Sequence, residues 1–414
     1  MLDRRHFTAL LGATAFSSTA RAQDTTLPFY ASTGPTLALY TLDLKTATLT
    51  KKSAVMLPGN LQYAWPHPSG KFLYTVSSPN RPGEADPQVS GPSAQAFQVG
   101  ADGTLTPNGA PVKLPTRPIH ATVDHTGRYL LIAFNMPSSI LVHRINTDGS
   151  IGEAVQQQAT LDTGIYAHQV RVTPNNKTVV LVTRGNDPRP GYPEDPGALK
   201  VFSFNEGQLS ALQSLAPHGQ GLGFGPRHLD FASHFVAVSL ERENSLCIYD
   251  LNADGSFGAE PLFIKNSMTD SDAKDKYPGQ TSGPVHVHPN SRWVYQTNRG
   301  SGTVDFDGQK VWNGGVNDIA VWTLDDKTGE PIRTQNIDAR GFELRTFTIT
   351  PDGKLLIAAS QSALSVHEGN HITKVSAGLS FYRVGVDGKL TFLHKQDVDT
   401  NAGPQFWCGL LTMA

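Results

Sequence analysis

Four side chains supply the types that chemistry at a carbonyl carbon needs. His168 lies in Gly164-Ile165-Tyr166-Ala167-His168-Gln169-Val170, and Arg227 in Gly225-Pro226-Arg227-His228-Leu229. Glu241 ends Ser239-Leu240-Glu241, and Arg299 lies in Val294-Tyr295-Gln296-Thr297-Asn298-Arg299-Gly300. An imidazole exchanges protons near neutral pH, and a carboxylate can share a proton or orient a cation. A guanidinium keeps its charge and offers a planar fork that matches a carboxylate or a developing oxyanion. Each of the four falls at an expected strand start or end, where loops gather.

Other constellations carry less. His286 and His288 alternate in Val285-His286-Val287-His288 and so point the same way from a strand. With Asp305 or Asp307 they could approach a metal, but two His without a defined third ligand make a weak site, so no metal and no other cofactor is expected. His120, in Arg117-Pro118-Ile119-His120, opens a strand at a place comparable to His168 and is a secondary candidate. His228 reads as structural. No Gly-x-Ser-x-Gly occurs, which disfavours a nucleophile-elbow esterase, and Gly219-Gln220-Gly221-Leu222-Gly223 reads as a loop before Pro226. Trp65, Trp312 and Trp407 could offer stacking faces to a sugar, although core packing is the simpler role for each. Cys247 and Cys408 lie far apart with no Cys-x-x-Cys pair; two buried free thiols are favoured over a disulfide.

The elements that must position these residues repeat. An apolar strand ending near an aromatic or His recurs at Leu39-Tyr40-Thr41-Leu42, Ala96-Phe97-Gln98-Val99, Val142-His143-Arg144-Ile145, Val201-Phe202-Ser203-Phe204, Ile248-Tyr249-Asp250-Leu251, Val321-Trp322-Thr323-Leu324 and Phe381-Tyr382-Arg383-Val384. Six copies are followed by a turn glycine, and the first has Thr46-Ala47-Thr48 instead. A second phrase interleaves with it: Pro68-Ser69-Gly70-Lys71-Phe72, His125-Thr126-Gly127-Arg128-Tyr129, Pro174-Asn175-Asn176-Lys177-Thr178, a degraded Ala232-Ser233-His234-Phe235, Pro289-Asn290-Ser291-Arg292-Trp293 and Pro351-Asp352-Gly353-Lys354-Leu355. Its spacing of 49 to 62 residues, with about four strands per repeat, is that of a propeller blade. The fold expected is all-β, a seven-bladed β-propeller over residues 27–414. The first blade is short of a strand, which the segment after Gly388 could supply, closing the ring.

Residues 1–22, MLDRRHFTALLGATAFSSTARA, combine Arg4-Arg5 with a short apolar run and Ala20-Arg21-Ala22. They resemble a twin-arginine (Tat) signal peptide, so a periplasmic or secreted protein is expected, with no membrane span because the run is too short. Lys plus Arg (34) nearly balance Asp plus Glu (36), and a net charge of −2 gives no general attraction to nucleic acid. Gly (39) and Pro (28) without collagen periodicity suit many short strands joined by turns. A closed ring of this kind is expected to be stable as a monomer.

The blade phrases, with the three segments around His168, Arg227 and Arg299, resemble the lactonase family of seven-bladed propellers, which includes bacterial phosphogluconolactonases and fungal carboxymuconate-lactonizing enzymes. The resemblance covers about residues 27–414. It implies that His168, Arg227, Glu241 and Arg299 line the axial channel. His168 would then be the general base or acid, Arg227 and Arg299 would polarise the carbonyl and anchor the substrate, and Glu241 would orient a cation or share proton transfer. The expected activity is hydrolysis of a carbohydrate lactone without metal, the partner being a small lactone or sugar acid. The export segment argues against phosphogluconolactone, a metabolite made inside the cell. Ser239-Leu240 in place of the usual small-Asn pair, and insertions at Ser267–Gly283 and Ser301–Gly315, depart from the family pattern. A lactone-forming cycloisomerase and a non-catalytic binding propeller remain the alternatives.

Overall fold

The computed structural model describes residues 25–79, 91–217, 220–270, 272–369 and 371–411; the twin-arginine segment lies outside the described residues. Seven antiparallel sheets follow one another around an axis. Blade 3 is typical. Its strands Pro118–Val123, Tyr129–Asn135, Ser138–Ile145 and Ile151–Ala154 run from the axis outward in chain order. The first strands of successive blades face one another around the channel.

Blade 1 takes Thr26–Thr33, Thr36–Asp43 and Thr48–Met56 from the N-terminal side and its axial strand, Cys408–Leu410, from the other end of the chain. Gly409 pairs with Tyr30 in an antiparallel register, as the missing strand required.

The second strands of blades 3, 4, 5 and 7 are mainly apolar on both faces because each face meets a neighbouring blade. In blade 3, Tyr129, Leu131 and Ala133 pack towards blade 4, while Leu130, Ile132 and Phe134 pack towards blade 2. Seven such apolar clusters exist, one per blade interface, including that between blades 7 and 1. The ring is therefore closed by the same packing that builds it.

The repeated turn glycines have a physical cause at these interfaces. Each turn between third and fourth strands docks against the second strand of the preceding blade. A Cβ on Gly149 (φ +80) would stand 2.4 Å from the Phe72 ring, and one on Gly388 (φ +80) 2.5 Å from Trp293. The freed carbonyls accept hydrogen bonds from buried tyrosines: Tyr74 donates to Gly149 (2.8 Å), Tyr295 to Gly388 (2.8 Å), and Tyr30 to Gly103. Blade 1 has Ala47 at this point, whose carbonyl accepts from His394 Nε2 of blade 7 at 2.8 Å.

Two additions differ from or extend the expectation. The sixth-blade insertions hold a short helix, Ala273–Lys276, and a hairpin, Thr303–Phe306 with Gln309–Trp312. A second hairpin in blade 7, Leu364–Glu368 with His371–Val375, was not foreseen; Phe306 stacks on its His367 at 4.3 Å. Cys247 and Cys408 are both buried and free. Trp407 packs between blades 1 and 2, Trp65 lies under the Arg171 guanidinium at 5.0 Å, and Trp312 donates to the Gly300 carbonyl, so the three form no common face.

Candidate active site

One backbone device aims side chains into the channel. Near the start of its first strand, each of blades 2 to 7 shifts register against the second strand. A bulge leaves one residue unpaired and re-aims it. The unpaired residues are Gln62, Ile119, His168, Arg227 and Arg345, with Gly283-Pro284 in blade 6. All five of the former line one cavity of about 690 Å³ at the channel mouth.

Ends of second strands and their loops add Arg184, Glu241 and Arg299, while Arg117, Tyr166 and Glu343 come from the approaches to first strands. The cavity thus gathers all four residues singled out in the sequence. It also gathers Arg117, Arg184, Glu343 and Arg345, which sequence reasoning passed over.

Charge is distributed unevenly. Glu241 accepts from Arg299 at 2.5 Å, Arg227 at 2.8 Å and Arg184 at 3.4 Å. Burial alone would raise its carboxyl, but Arg227, Arg299 and Arg184 outweigh that and hold it well below the usual carboxylate range. Arg299 also donates to Glu343 at 3.0 Å, whose other oxygen accepts from the Ser301 hydroxyl. Five guanidinium groups therefore face two carboxylates.

Arg345 and Arg117 are the surplus. Arg117 donates to Gln62 at 2.5 Å, and Arg345 lies over the Phe406 ring at 4.1 Å; among the described residues neither has an ion pair. Burial, then Arg227, Arg117 and Arg299, disfavours the charge on Arg345, a penalty that an anionic group in the cavity would remove. Arg227 is likewise pushed down, to about 10, by burial and by Arg299.

His168 is 5% exposed and lines the cavity, and its Nδ1 is buried without a hydrogen-bond partner among the described residues. Burial first, then Arg227, Arg345, Arg184 and Arg299, holds the ring well below the ordinary imidazole value. It is neutral at pH 7.

Below His168 the rings of His228 and His120 continue down the axis, at centroid distances of 5.2 and 5.9 Å. His120 is not at the position of His168. Ile119 is the bulged residue of its strand, and His120 sits one residue further in, against Tyr63 at 3.8 Å. At the far end Asp230 pairs with Arg171 at 3.0 Å and lies 3.5 Å from His286 Nδ1. His288 Nε2 donates to the Gly353 carbonyl (2.9 Å), just as His67 does to Gly127 (3.0 Å), so His288 fastens blade 6 to blade 7. Asp305 pairs with Lys310 on the exposed hairpin. No group of three His, Cys, Asp or Glu side chains within metal-binding reach exists among the described residues.

Comparisons with known proteins agree with this architecture. A protein from Yersinia pseudotuberculosis (serotype O:3, strain YPIII) named 6-phosphogluconolactonase is 26% identical over 345 residues, covering 78% of this chain and 91% of its own. Another so named, from Cronobacter sakazakii, is 27% identical over 319 residues, covering 76% and 82%. Among solved structures, the periplasmic gluconolactonase of Pseudomonas aeruginosa superposes with a TM-score of 0.69 at 17% identity, over 94% of this chain and 100% of that one. A putative 6-phosphogluconolactonase from Bacteroides fragilis gives 0.68 at 19%, over 95% and 99%. The family model described as "Lactonase, 7-bladed beta-propeller" matches residues 28–373, and the chain belongs to that family.

Proposed function

We propose that the protein is a lactonase that opens a sugar lactone with water, using His168 as general base and Arg345 as the principal oxyanion partner. The reading is carried by one juxtaposition: a neutral, cavity-facing imidazole beside guanidinium groups that lack carboxylate partners. Membership of the lactonase family supports it.

In the reaction, Nε2 of His168 takes a proton from water as the water oxygen bonds to the lactone carbonyl carbon. The carbonyl oxygen becomes an alkoxide held by Arg345, with Arg227 behind it. The tetrahedral centre then collapses, the ring C–O bond breaks, and the imidazolium returns its proton to the departing ring oxygen. Water is consumed and a hydroxy acid results. Glu241 holds a settled negative charge among three arginines, so its part is to fix Arg227 and Arg299 in place rather than to move protons. None of these steps requires a metal. The twin-arginine segment supports export to the periplasm or beyond.

The test is a pH-indicator assay of the mature protein on glucono-δ-lactone, with and without chelator, beside His168→Ala. Hydrolysis that survives chelation and is lost in the variant supports the reading; hydrolysis unaffected by the substitution refutes it.

A further inference from the structure

A second cavity, of about 1100 Å³, opens beside the channel mouth between blades 2, 3 and 4. Arg117 and Tyr166 line both spaces and so stand at the border between them. The side cleft has an apolar stretch, formed by Pro115, Pro137, Pro188, Met136 and Ile165, set beside polar side chains that include Thr116, Ser138, Asn186 and Arg189. Met136 is 54% exposed and Ile165 38%, so both present apolar surface at the cleft.

Two of the polar side chains hold donors that are themselves buried. Asn135, only 3% exposed, has a buried Nδ2 with no hydrogen-bond partner among the described residues, and the buried Nε of Arg117 has none among them either. Buried donors normally find acceptors, and the cleft also holds polar groups in Asn186, Asp187 and Arg189. A ligand that suits such a space has an apolar body and at least one carbonyl or hydroxyl oxygen near its attachment point. On the apolar stretch itself a bare sugar would set its hydroxyls against proline rings and a thioether.

We propose that the side cleft is a subsite for an apolar acyl or aryl substituent on the lactone. The proposal rests on the lactonase reading above and names the substrate class within it: a sugar lactone substituted with a group of this kind. The lactone ring sits in the channel, the linking oxygen passes between Arg117 and Tyr166, and the apolar group lies on Met136 and Ile165.

The experiment compares glucono-δ-lactone with its 6-O-benzoyl ester, in the wild type and in Met136→Asp and Ile165→Asp. Both side chains are surface-exposed, and unchanged melting confirms that each variant keeps its fold. The wild type is expected to prefer the benzoyl ester in kcat/KM by about tenfold or more. Each variant is expected to remove most of that preference while leaving the unsubstituted lactone within about twofold of wild type. No preference in the wild type, or a preference intact in both variants, overturns the subsite and leaves the lactonase reading standing. Calorimetric binding of the non-hydrolysable 6-O-benzoyl lactam separates the two ideas. If no lactone is hydrolysed, lactam binding that both variants weaken still supports the cleft, and binding indifferent to them refutes it.

Discussion

Replacing Glu241 by Gln removes one negative charge from the centre of three arginines while keeping nearly the same shape. Arg227 and Arg299 are 4% and 8% exposed in their side chains, so little water can take over the lost partner. Breaking a buried ion pair from one side costs about 3–5 kcal/mol, because the remaining charges stay buried. For a domain of this size the unfolding entropy is roughly 0.8 kcal/mol per degree, so the midpoint should fall by about 4–6 °C. Removing Arg184 as well, the most distant of the three at 3.4 Å, should restore part of the loss. The pH dependence has a definite sign. The folded carboxyl is held below its ordinary value of 4.5, so its contribution is complete above about pH 4.5 and declines as pH falls further. Calorimetric scans of wild type and Glu241→Gln should therefore run parallel from pH 7 to about 4.5 and converge below that. A variant that melts within a degree of wild type, with a gap indifferent to acid, would falsify the account of Glu241 as the keystone of the cluster.

Four further outcomes follow from the same geometry. His168→Gln should lower kcat/KM by about 10²–10⁴-fold with little change in melting, as loss of a general base does. Because the imidazole is held below 6.5, the acidic limb of the wild-type pH–rate profile should lie below pH 6.5, and a limb at or above that value speaks against His168. Arg345→Met should lower kcat by about 10²–10³-fold without loss of stability, since it removes a half-buried charge that has no ion pair among the described residues; a clear drop in denaturation midpoint would mean the guanidinium holds the fold. Tyr74→Phe leaves the Gly149 carbonyl without its donor at the interface of blades 2 and 3, and should cost about 1–3 kcal/mol in urea unfolding while leaving turnover intact.

Much of this molecule can be read from short stretches of its sequence. The turn phrases at Pro68, Pro174 and Pro351 mark hairpins because φ > 0 and β-alternation are local demands. The turn glycines at Gly149 and Gly388 could be seen, but not their reason, which is an aromatic ring in the preceding blade. His168, Arg227, Glu241 and Arg299 stood out by type and by segment. Arg345 did not, because Leu344-Arg345-Thr346 has no distinctive neighbours. Its signal was one of register: it lies six residues before Pro351, as His168 lies six before Pro174 and Gln62 six before Pro68. The same count gives Ile119, not His120, in blade 3. The side cleft left no such trace, since its walls come from loops of three blades and no periodicity links Pro115, Met136 and Ile165.

The seal of the ring has a consequence for how the fold assembles. Cys408–Leu410 form the axial strand against which the first sheet is laid, although their partners Phe29–Ala31 are far away along the chain. Until that strand docks, the sheet keeps an open flank and the contact between blades 7 and 1 is incomplete. Pairings of such long sequence separation form slowly, so the joining of the two distant segments should set the pace of refolding.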